Sequence, residues 1–275
     1  MLPDATSDQP VRLPGPVRIV CETFRALLDE QLPGRVEGLY LHGSLGFGEW
    51  YDGRSDVDFV AAWSRRPDAE EVRRLAALHE QLAEMFPRPS FDGFHCTWDD
   101  LARSPYDCPD VPCTLGGVWE DEGRTDVNPV TWHELARHGV TVWGPGLADV
   151  AIWTDDEALR AHTLGNLETY WAGEVEALRR FPAEAGKQEV VAWHVLGVAR
   201  LHHQVATGGL TSKNGAGLHA LEEFGGRWRL LLTEALSYRA TGDRVGVLPP
   251  DQLAAEVVAF CELVIDDARR LAAGA

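Results

Sequence analysis

The sequence predicts an α+β fold in which a sheet-containing N-terminal domain precedes a bundle of α-helices. Up to about residue 150, short β-type segments alternate with amphipathic helices. Beyond that point, long amphipathic stretches follow one another with no convincing strand between them, separated by Gly-Gly and Pro-Pro pairs. We therefore expect one domain over residues 1–150 and a second over residues 151–275.

The first hundred residues alternate between helices and strands. After a proline-rich arm, apolar residues from Val17 to Leu28 recur at helical spacing. Asp68 is followed three positions later by Glu71, which forms a capping box and predicts the start of a second helix. The strands predicted around these helices span residues 36–41, 55–63 and 90–98.

The rest of the chain completes this pattern. Residues 103–128 are rich in proline, glycine and aspartate, which predicts a loop region. A helix over residues 129–138 and a short strand over residues 140–143 then close the N-terminal domain. The amphipathic stretches of the second domain cover residues 155–180, 187–207, 216–239 and 250–273.

The charge of the chain restricts the possible partners. The formal net charge is −18, from 43 acidic and 25 basic residues. Such a surface repels phosphate backbones, so it excludes nucleic acid and favours a small cationic partner. No apolar run approaches ~18 residues, no signal-peptide pattern precedes the first helix, and the five scattered cysteines are typical of structural thiols. We expect a cytoplasmic monomer without a membrane partner.

The most informative segment joins a glycine-serine turn to two aspartates. Gly43 lets the backbone approach a ligand closely, and Ser44 offers a hydroxyl and an N–H to an anionic phosphate. Asp56 and Asp58 are two apart on a strand, so their carboxylates point to the same face. Neighbouring carboxylates repel each other unless a cation neutralises them, and hard oxygen ligands favour Mg²⁺.

The order of these residues resembles the nucleotidyltransferase superfamily, whose motif is Gly-Ser followed after a gap by Asp-x-Asp. Here that motif is Gly43-Ser44, then Ser55-Asp56-Val57-Asp58. The two-domain layout more narrowly resembles the aminoglycoside adenylyltransferases that modify streptomycin and spectinomycin. The resemblance implies a polymerase β-like mixed sheet and Mg²⁺-dependent transfer of AMP from ATP to a hydroxyl. It also implies that Gly43, Ser44 and Ser55 contact the nucleotide.

The helical part carries further points of resemblance. In the family, an arginine and a lysine thirteen residues later hold the ATP phosphates, and the matching residues are Arg200 and Lys213. Tyr238 stands where the family has a tyrosine that contacts the nucleotide. Trp119 and Trp171 lie roughly where the family presents aromatic surfaces to the antibiotic.

The third strand departs from the family pattern. The family has a glutamate there that serves as general base, and the residue matched to it is His95. Alternation along the strand predicts that His95 shares a face with Gly93 and Thr97. Asp92 would then need an irregular strand to reach the metal. A histidine can accept a proton near neutral pH, but it cannot replace the charge of a carboxylate at a metal.

Three functions remain open at this level. The leading one is an ATP-dependent adenylyltransferase that acts on a small, cationic, hydroxyl-bearing molecule such as an aminoglycoside. A nucleotide-binding relative without catalysis would account for the missing glutamate. Protein AMPylation is the third, although the minimal antitoxins that perform it lack the helical domain expected here.

Overall fold

A computed structural model describes residues 13–244, 246 and 248–274. In this part of the chain, the strands are β1 Val36–Leu41, β2 Val57–Trp63, β3 Phe91–Thr97, β4 Val111–Leu115, β5 Val118–Gly123 and β6 Val140–Trp143. The helices are α1 Gly15–Gln31, α2 Gly43–Gly46, α3 Ala69–Met85, α4 Trp98–Leu101, α5 Pro129–His138, α6 Asp156–Asn166, α7 Ala172–Arg180, α8 Pro182–Ala185, α9 Gln188–Thr207, α10 Lys213–Thr241 and α11 Pro250–Ala273.

The six strands form one mixed sheet in the order β5-β4-β3-β2-β1-β6. Only the β2–β3 pair is parallel, and the other neighbouring pairs are antiparallel. One face of the sheet packs against α1 and α3 through residues such as Leu41 and Phe59. The other face packs against α4 and α5 through Val60 and Phe94. The predicted α+β fold is confirmed, and Asp68 forms the expected capping box with Glu71 at the start of α3.

The prediction of a loop over residues 103–128 is wrong, because β4 and β5 form a hairpin within it. Gly116 and Gly117 make the two-residue turn with φ of 59° and 75°, a conformation that favours glycine at both positions. The glycine pair between Leu115 and Val118 was the available sequence signal. The strand β5 was missed because its sequence, Val-Trp-Glu-Asp-Glu-Gly, is acidic. Such a segment does not show the apolar alternation of an inner strand.

The remaining helices pack around α9, which contacts both α10 and α11. The four predicted helical stretches are confirmed, although a π-helical turn at Leu167–Trp171 separates α6 from α7. The last strand ends at Trp143 and α6 begins at Asp156, while the domain division at residue 150 stays a prediction. In the described part of the chain, every helix lacks the length or the apolar character needed to cross a membrane.

His95 does not lie where the sequence predicted. In the β2–β3 register it stands beside Ala61, three residues further along than the Asp58–Asp92 pair. Its ring lies in the core under α1 and α3, where it accepts a hydrogen bond from Trp63 Nε1 (3.1 Å) and faces His79 Nε2 (2.9 Å). The expectation that His95 reaches the metal is therefore wrong, because its strand position turns it into the apolar layer.

This buried histidine pair predicts a pH-dependent stability. Burial lowers the pKa of His79 to about 3 and holds that of His95 well below its ordinary value, with the charge of His79 adding to the effect. Both rings are neutral in the folded protein, whereas the unfolded chain protonates them near pH ~6.5. The two rings therefore do not reduce the free energy of unfolding above that pH. As the pH falls from there towards 3, the free energy of unfolding decreases by about 1.4 kcal/mol per pH unit for each ring.

Urea unfolding between pH 7 and pH 5 should therefore show a smaller pH slope in His79→Phe than in the wild type. His138→Gln, a change outside this core, should keep the wild-type slope. Equal slopes in wild type and His79→Phe would mean that the pair is not neutral in the folded state.

Candidate active site

The carboxylate of Asp58 lies against the backbone of the Gly43-Ser44 turn. The main chain joins the two segments directly, because His42 N donates to the carbonyl of Asp58 at 3.0 Å. Gly43 adopts φ of 58°, and a Cβ at this position would collide with the carboxylate of Asp58. Two independent constraints, the backbone conformation and the close approach, therefore require glycine at residue 43.

The two aspartates differ in burial, since Asp58 is half-buried and Asp56 is more exposed. Burial raises the pKa of Asp58 to about 7; the charge of His42 opposes the shift, and those of Asp126, Glu134 and Asp56 add to it. Burial also raises the pKa of Asp56, against the charges of Lys213 and Arg88. Such a site favours an added cation.

The donor chemistry of the aspartate pair fits Mg²⁺. Asp56 and Asp58 offer the hard carboxylate oxygens that this ion prefers. Among the described residues, no three His, Cys, Asp or Glu side chains are grouped tightly enough to hold a metal by themselves. A magnesium ion would therefore complete its coordination with water and phosphate oxygens, which is its usual mode in phosphoryl-transfer sites.

Glu134 is a site residue that the sequence did not reveal. It is buried on α5, and its Oε2 accepts hydrogen bonds from Gly43 N and His42 Nδ1, both at 3.1 Å. Burial disfavours the charged ring of His42, but the bond to Glu134 and the charges of Asp58, Glu134 and Asp126 raise the pKa of His42 to about 9. This raised pKa favours the protonated ring of His42 behind the Gly-Ser turn. A glutamate within a predicted amphipathic helix gave no sign of this role.

The helical part supplies cations to the same place. A cavity of about 110 Å³ is bordered by Ser44, Ser55, Asp56 and Asp58 from one side and by Arg200 and Lys213 from the other. Burial and the charges of Arg200 and Arg239 lower the pKa of Lys213 to about 8, while Asp58 and Asp56 oppose the shift. The structure therefore brings together the Gly-Ser turn, the aspartate pair and the two cations that the sequence singled out.

Lys213 is held by the start of its own helix. Helix α10 begins at Lys213, three residues before the predicted start, and Ser212 caps it by accepting a hydrogen bond from Gly215 N at 2.9 Å. Tyr238, near the other end of α10, borders an adjoining cavity of about 360 Å³ together with Lys213 and Trp193. The tyrosine thus lies near Lys213, while its contact with a nucleotide stays a prediction.

The two tryptophans matched to the acceptor site have different positions. Trp171 borders a cavity of about 330 Å³ next to Asp58, although only 5% of its surface is exposed and its ring packs on Trp193 with 4.6 Å between centroids. Trp119 lies on β5, where its ring stacks on His79 at 4.8 Å. The structure therefore does not bring Trp119 to the cavity of Trp171. The exposed aromatic rings there are Tyr170 and Trp193.

Asp92 is the carboxylate of β3 that lies beside the aspartate pair. It is paired with Asp58 in the β2–β3 register and borders a cavity of about 540 Å³ together with Asp56. Ser90 Oγ donates to Asp92 Oδ1 at 2.7 Å. Burial and the nearby charge of Asp56 raise the pKa of Asp92, against that hydrogen bond. The β2–β3 pairing is regular through this point, so no strand irregularity is needed to bring Asp92 beside Asp58.

Gly43→Ala should lower the free energy of unfolding by about 1–3 kcal/mol, the usual cost of a strained backbone conformation. It should also displace the Asp58 carboxylate and so weaken binding of Mg²⁺–ATP. Gly48→Ala is the matched control, because Gly48 has φ of 69° but open space around it. Chemical unfolding and calorimetric ATP binding would be measured for both variants. If the two lose equal stability and equal affinity, the close approach of Asp58 has no effect of its own.

Comparison with known proteins places this geometry in a known fold. No protein-family profile and no curated protein matches the sequence. Among solved structures, the chain is similar to the spectinomycin adenyltransferase AAD(9) from Enterococcus faecialis, which was solved with ATP and spectinomycin. The TM-score is 0.60 at 13% sequence identity, and the match covers 89% of this chain and 98% of that one. The chain therefore has the two-part α+β fold of an adenyltransferase over most of its length.

Proposed function

We propose that this protein transfers AMP from ATP to a hydroxyl group of a small cationic acceptor of the aminoglycoside class, with Mg²⁺ as cofactor. The observation that carries the proposal is the cavity in which Arg200 and Lys213 face Asp56 and Asp58. Cations opposite a carboxylate pair match a triphosphate bound together with a divalent metal. The similarity in fold to an adenyltransferase supports the same reaction class.

Different residues of the chain bind the phosphates, the metal and the nucleoside. Arg200 offers a guanidinium fork and Lys213 a point charge to the phosphate oxygens. Asp56 and Asp58 would hold Mg²⁺, which supplies neutralisation of charge at the α-phosphate and on the departing pyrophosphate. Tyr238 lies along the adjoining cavity, where it can contact the nucleoside.

We propose Asp92, in place of His95, as the general base. The acceptor hydroxyl gives its proton to the Asp92 carboxylate, and its oxygen forms a bond to the α-phosphorus of ATP. The bond from the α-phosphorus to the bridging oxygen breaks, and pyrophosphate leaves. The support is the position of Asp92 beside Asp58 and the cavity that it shares with Asp56. Its raised pKa brings this carboxyl closer to the working pH, which favours general-base catalysis.

The acceptor class is inferred from the cavity beside Asp58. Its wall combines the carboxylates of Asp126 and Glu134 with the exposed rings of Tyr170 and Trp193. Carboxylates bind ammonium groups, and aromatic faces attract cations and sugar C–H groups. A volume of about 330 Å³ is in the range of small-molecule sites. The net charge of −18 also attracts a cationic acceptor.

Asp58→Asn should abolish transfer, because it removes a metal ligand. The fold should be kept, because the charge of Asp58 is costly to bury. The assay is transfer of label from α-labelled ATP to a panel of aminoglycosides that includes streptomycin and spectinomycin. Asp99→Asn, an exposed change on α4, is the control and should retain full activity. Turnover of Asp58→Asn within about tenfold of the wild type would exclude Asp58 as a metal ligand.

The same assay separates the alternatives. If Mg²⁺–ATP raises the melting temperature but no acceptor is labelled, the protein binds nucleotide without this transfer reaction. Absence of any effect of ATP on the melting temperature would contradict the proposed function altogether.

Asp92→Asn should lower turnover by roughly 10²–10⁴-fold, the usual contribution of a general base, and leave ATP affinity within a few-fold. His95→Gln should lower the melting temperature but keep turnover per folded molecule. His95→Glu should not raise activity, because it would place a carboxylate in the apolar layer under α1 and α3. An active Asp92→Asn variant together with an inactive, folded His95→Gln variant would reverse this assignment.

A further inference from the structure

Arg239 is a buried cation next to the proposed phosphate site whose hydrogen bonds are incomplete. Its side chain is 12% exposed, and its nearest carboxylate oxygen, Glu49 Oε2, lies 3.6 Å from Nη2, too far for a hydrogen bond. Within the described chain, Arg239 Nε and Glu49 Oε2 are both buried without a hydrogen-bond partner. Leaving such groups unsatisfied is costly, so a ligand that supplied oxygen atoms to Arg239 would be stabilised.

Both residues are held in place by other contacts. Glu49 Oε1 accepts a hydrogen bond from Ser212 Oγ at 2.5 Å. Arg54 donates to the carbonyls of Arg239 and Ala240 at 2.9 Å and 2.7 Å, which fixes the end of α10 against the loop before β2. The ring of Tyr51 lies 5.0 Å from the guanidinium of Arg239. The positions of Arg239 and Glu49 are therefore fixed by contacts other than their own ion pair.

Arg239 is a further cation of the cavity that holds the aspartate pair. It borders the same 110 Å³ cavity as Arg200 and Lys213. The carboxylate that pairs with its guanidinium is Glu49, at 3.6 Å. If the α-phosphate lies at the aspartates, as the proposed function requires, the β- and γ-phosphates extend among these cations, of which Arg239 has a buried Nε without a partner in the described chain.

We infer that Arg239 binds the terminal phosphates of the nucleoside triphosphate and that Glu49 holds it in place until they arrive. The inference rests on the proposed function. Phosphate oxygens complete the hydrogen bonds of the guanidinium in place of the distant carboxylate. Glu49 therefore acts on the nucleotide through Arg239, which it positions for the phosphates.

Calorimetry with Mg²⁺ and a non-hydrolysable ATP analogue tests the role of Arg239. Arg239→Gln should weaken binding by about tenfold or more, as expected for loss of a charge-assisted hydrogen bond, whereas AMP affinity should change less than about twofold. Arg229→Gln, which removes an exposed arginine from the same helix, is the matched control. Arg239→Lys keeps the charge and should lose less affinity than Arg239→Gln, which also guards against a folding defect.

The outcomes separate the two proposals. If the wild type binds the ATP analogue and Arg239→Gln binds it as tightly as Arg229→Gln does, the inference fails and the proposed function stands. Equal losses for ATP and AMP would also overturn it, because Arg239 would then not act on the terminal phosphates. If the wild type does not bind the analogue, the proposed function fails and the inference fails with it.

Glu49→Gln tests the second half of the inference. The amide keeps an acceptor oxygen for Ser212 but removes the charge that holds Arg239. Without that contact the ligand must itself order Arg239, so ATP affinity should fall by about threefold or more, and this loss should disappear in the Arg239→Gln background if the two residues act through one contact. Unchanged or tighter ATP binding in Glu49→Gln, or a loss that persists without Arg239, would overturn the holding role.

Discussion

The structure of the candidate site depends on the burial of the Asp58 carboxylate among other carboxylates. Asp56, Asp126 and Glu134 all act on it with charge of the same sign, which destabilises its ionised form. His42, held by Glu134, offsets part of this from within the N-terminal part of the chain. A partly buried cluster of carboxylates whose charge is only partly neutralised favours the binding of an added cation.

The other cations of the site belong to residues that lie far away in the sequence. Arg200 and Lys213 belong to helices that pack in a separate core from that of the sheet. Contacts at Ser212 and Arg54 fix these helices against the segment between the Gly-Ser turn and β2. The site is therefore complete only when the helical part is packed against the segment before β2. The geometry of the helical core thus affects the electrostatics at the end of the sheet.

The sequence predicted the elements whose signals are local. The Gly-Ser turn, Asp58 in β2 and the capped helix α3 each follow from a few adjacent residues, and the structure has them where expected, whereas Asp56 lies just before β2 and not on the strand. Alternation correctly put His95 and Asp92 on opposite faces of β3, but only the β2–β3 register, in which Asp92 pairs with Asp58, shows which of the two lies beside the aspartate pair. The roles of Glu134 and Arg239 depend on distant contacts: Glu134 contacts a residue 91 positions away in the sequence, and Arg239 contacts one 190 positions away. No local pattern shows these contacts.

The hairpin between β4 and β5 has a consequence for how molecules of this protein meet one another. It forms one edge of the sheet, where unpaired backbone groups could join the edge of a second copy. Glu120, Asp121 and Glu122 are all exposed along this edge. Two such edges brought side by side would place three negative charges against three others, and this repulsion opposes intermolecular strand pairing. The acidic residues that concealed the strand from sequence reasoning thus also protect it from aggregation.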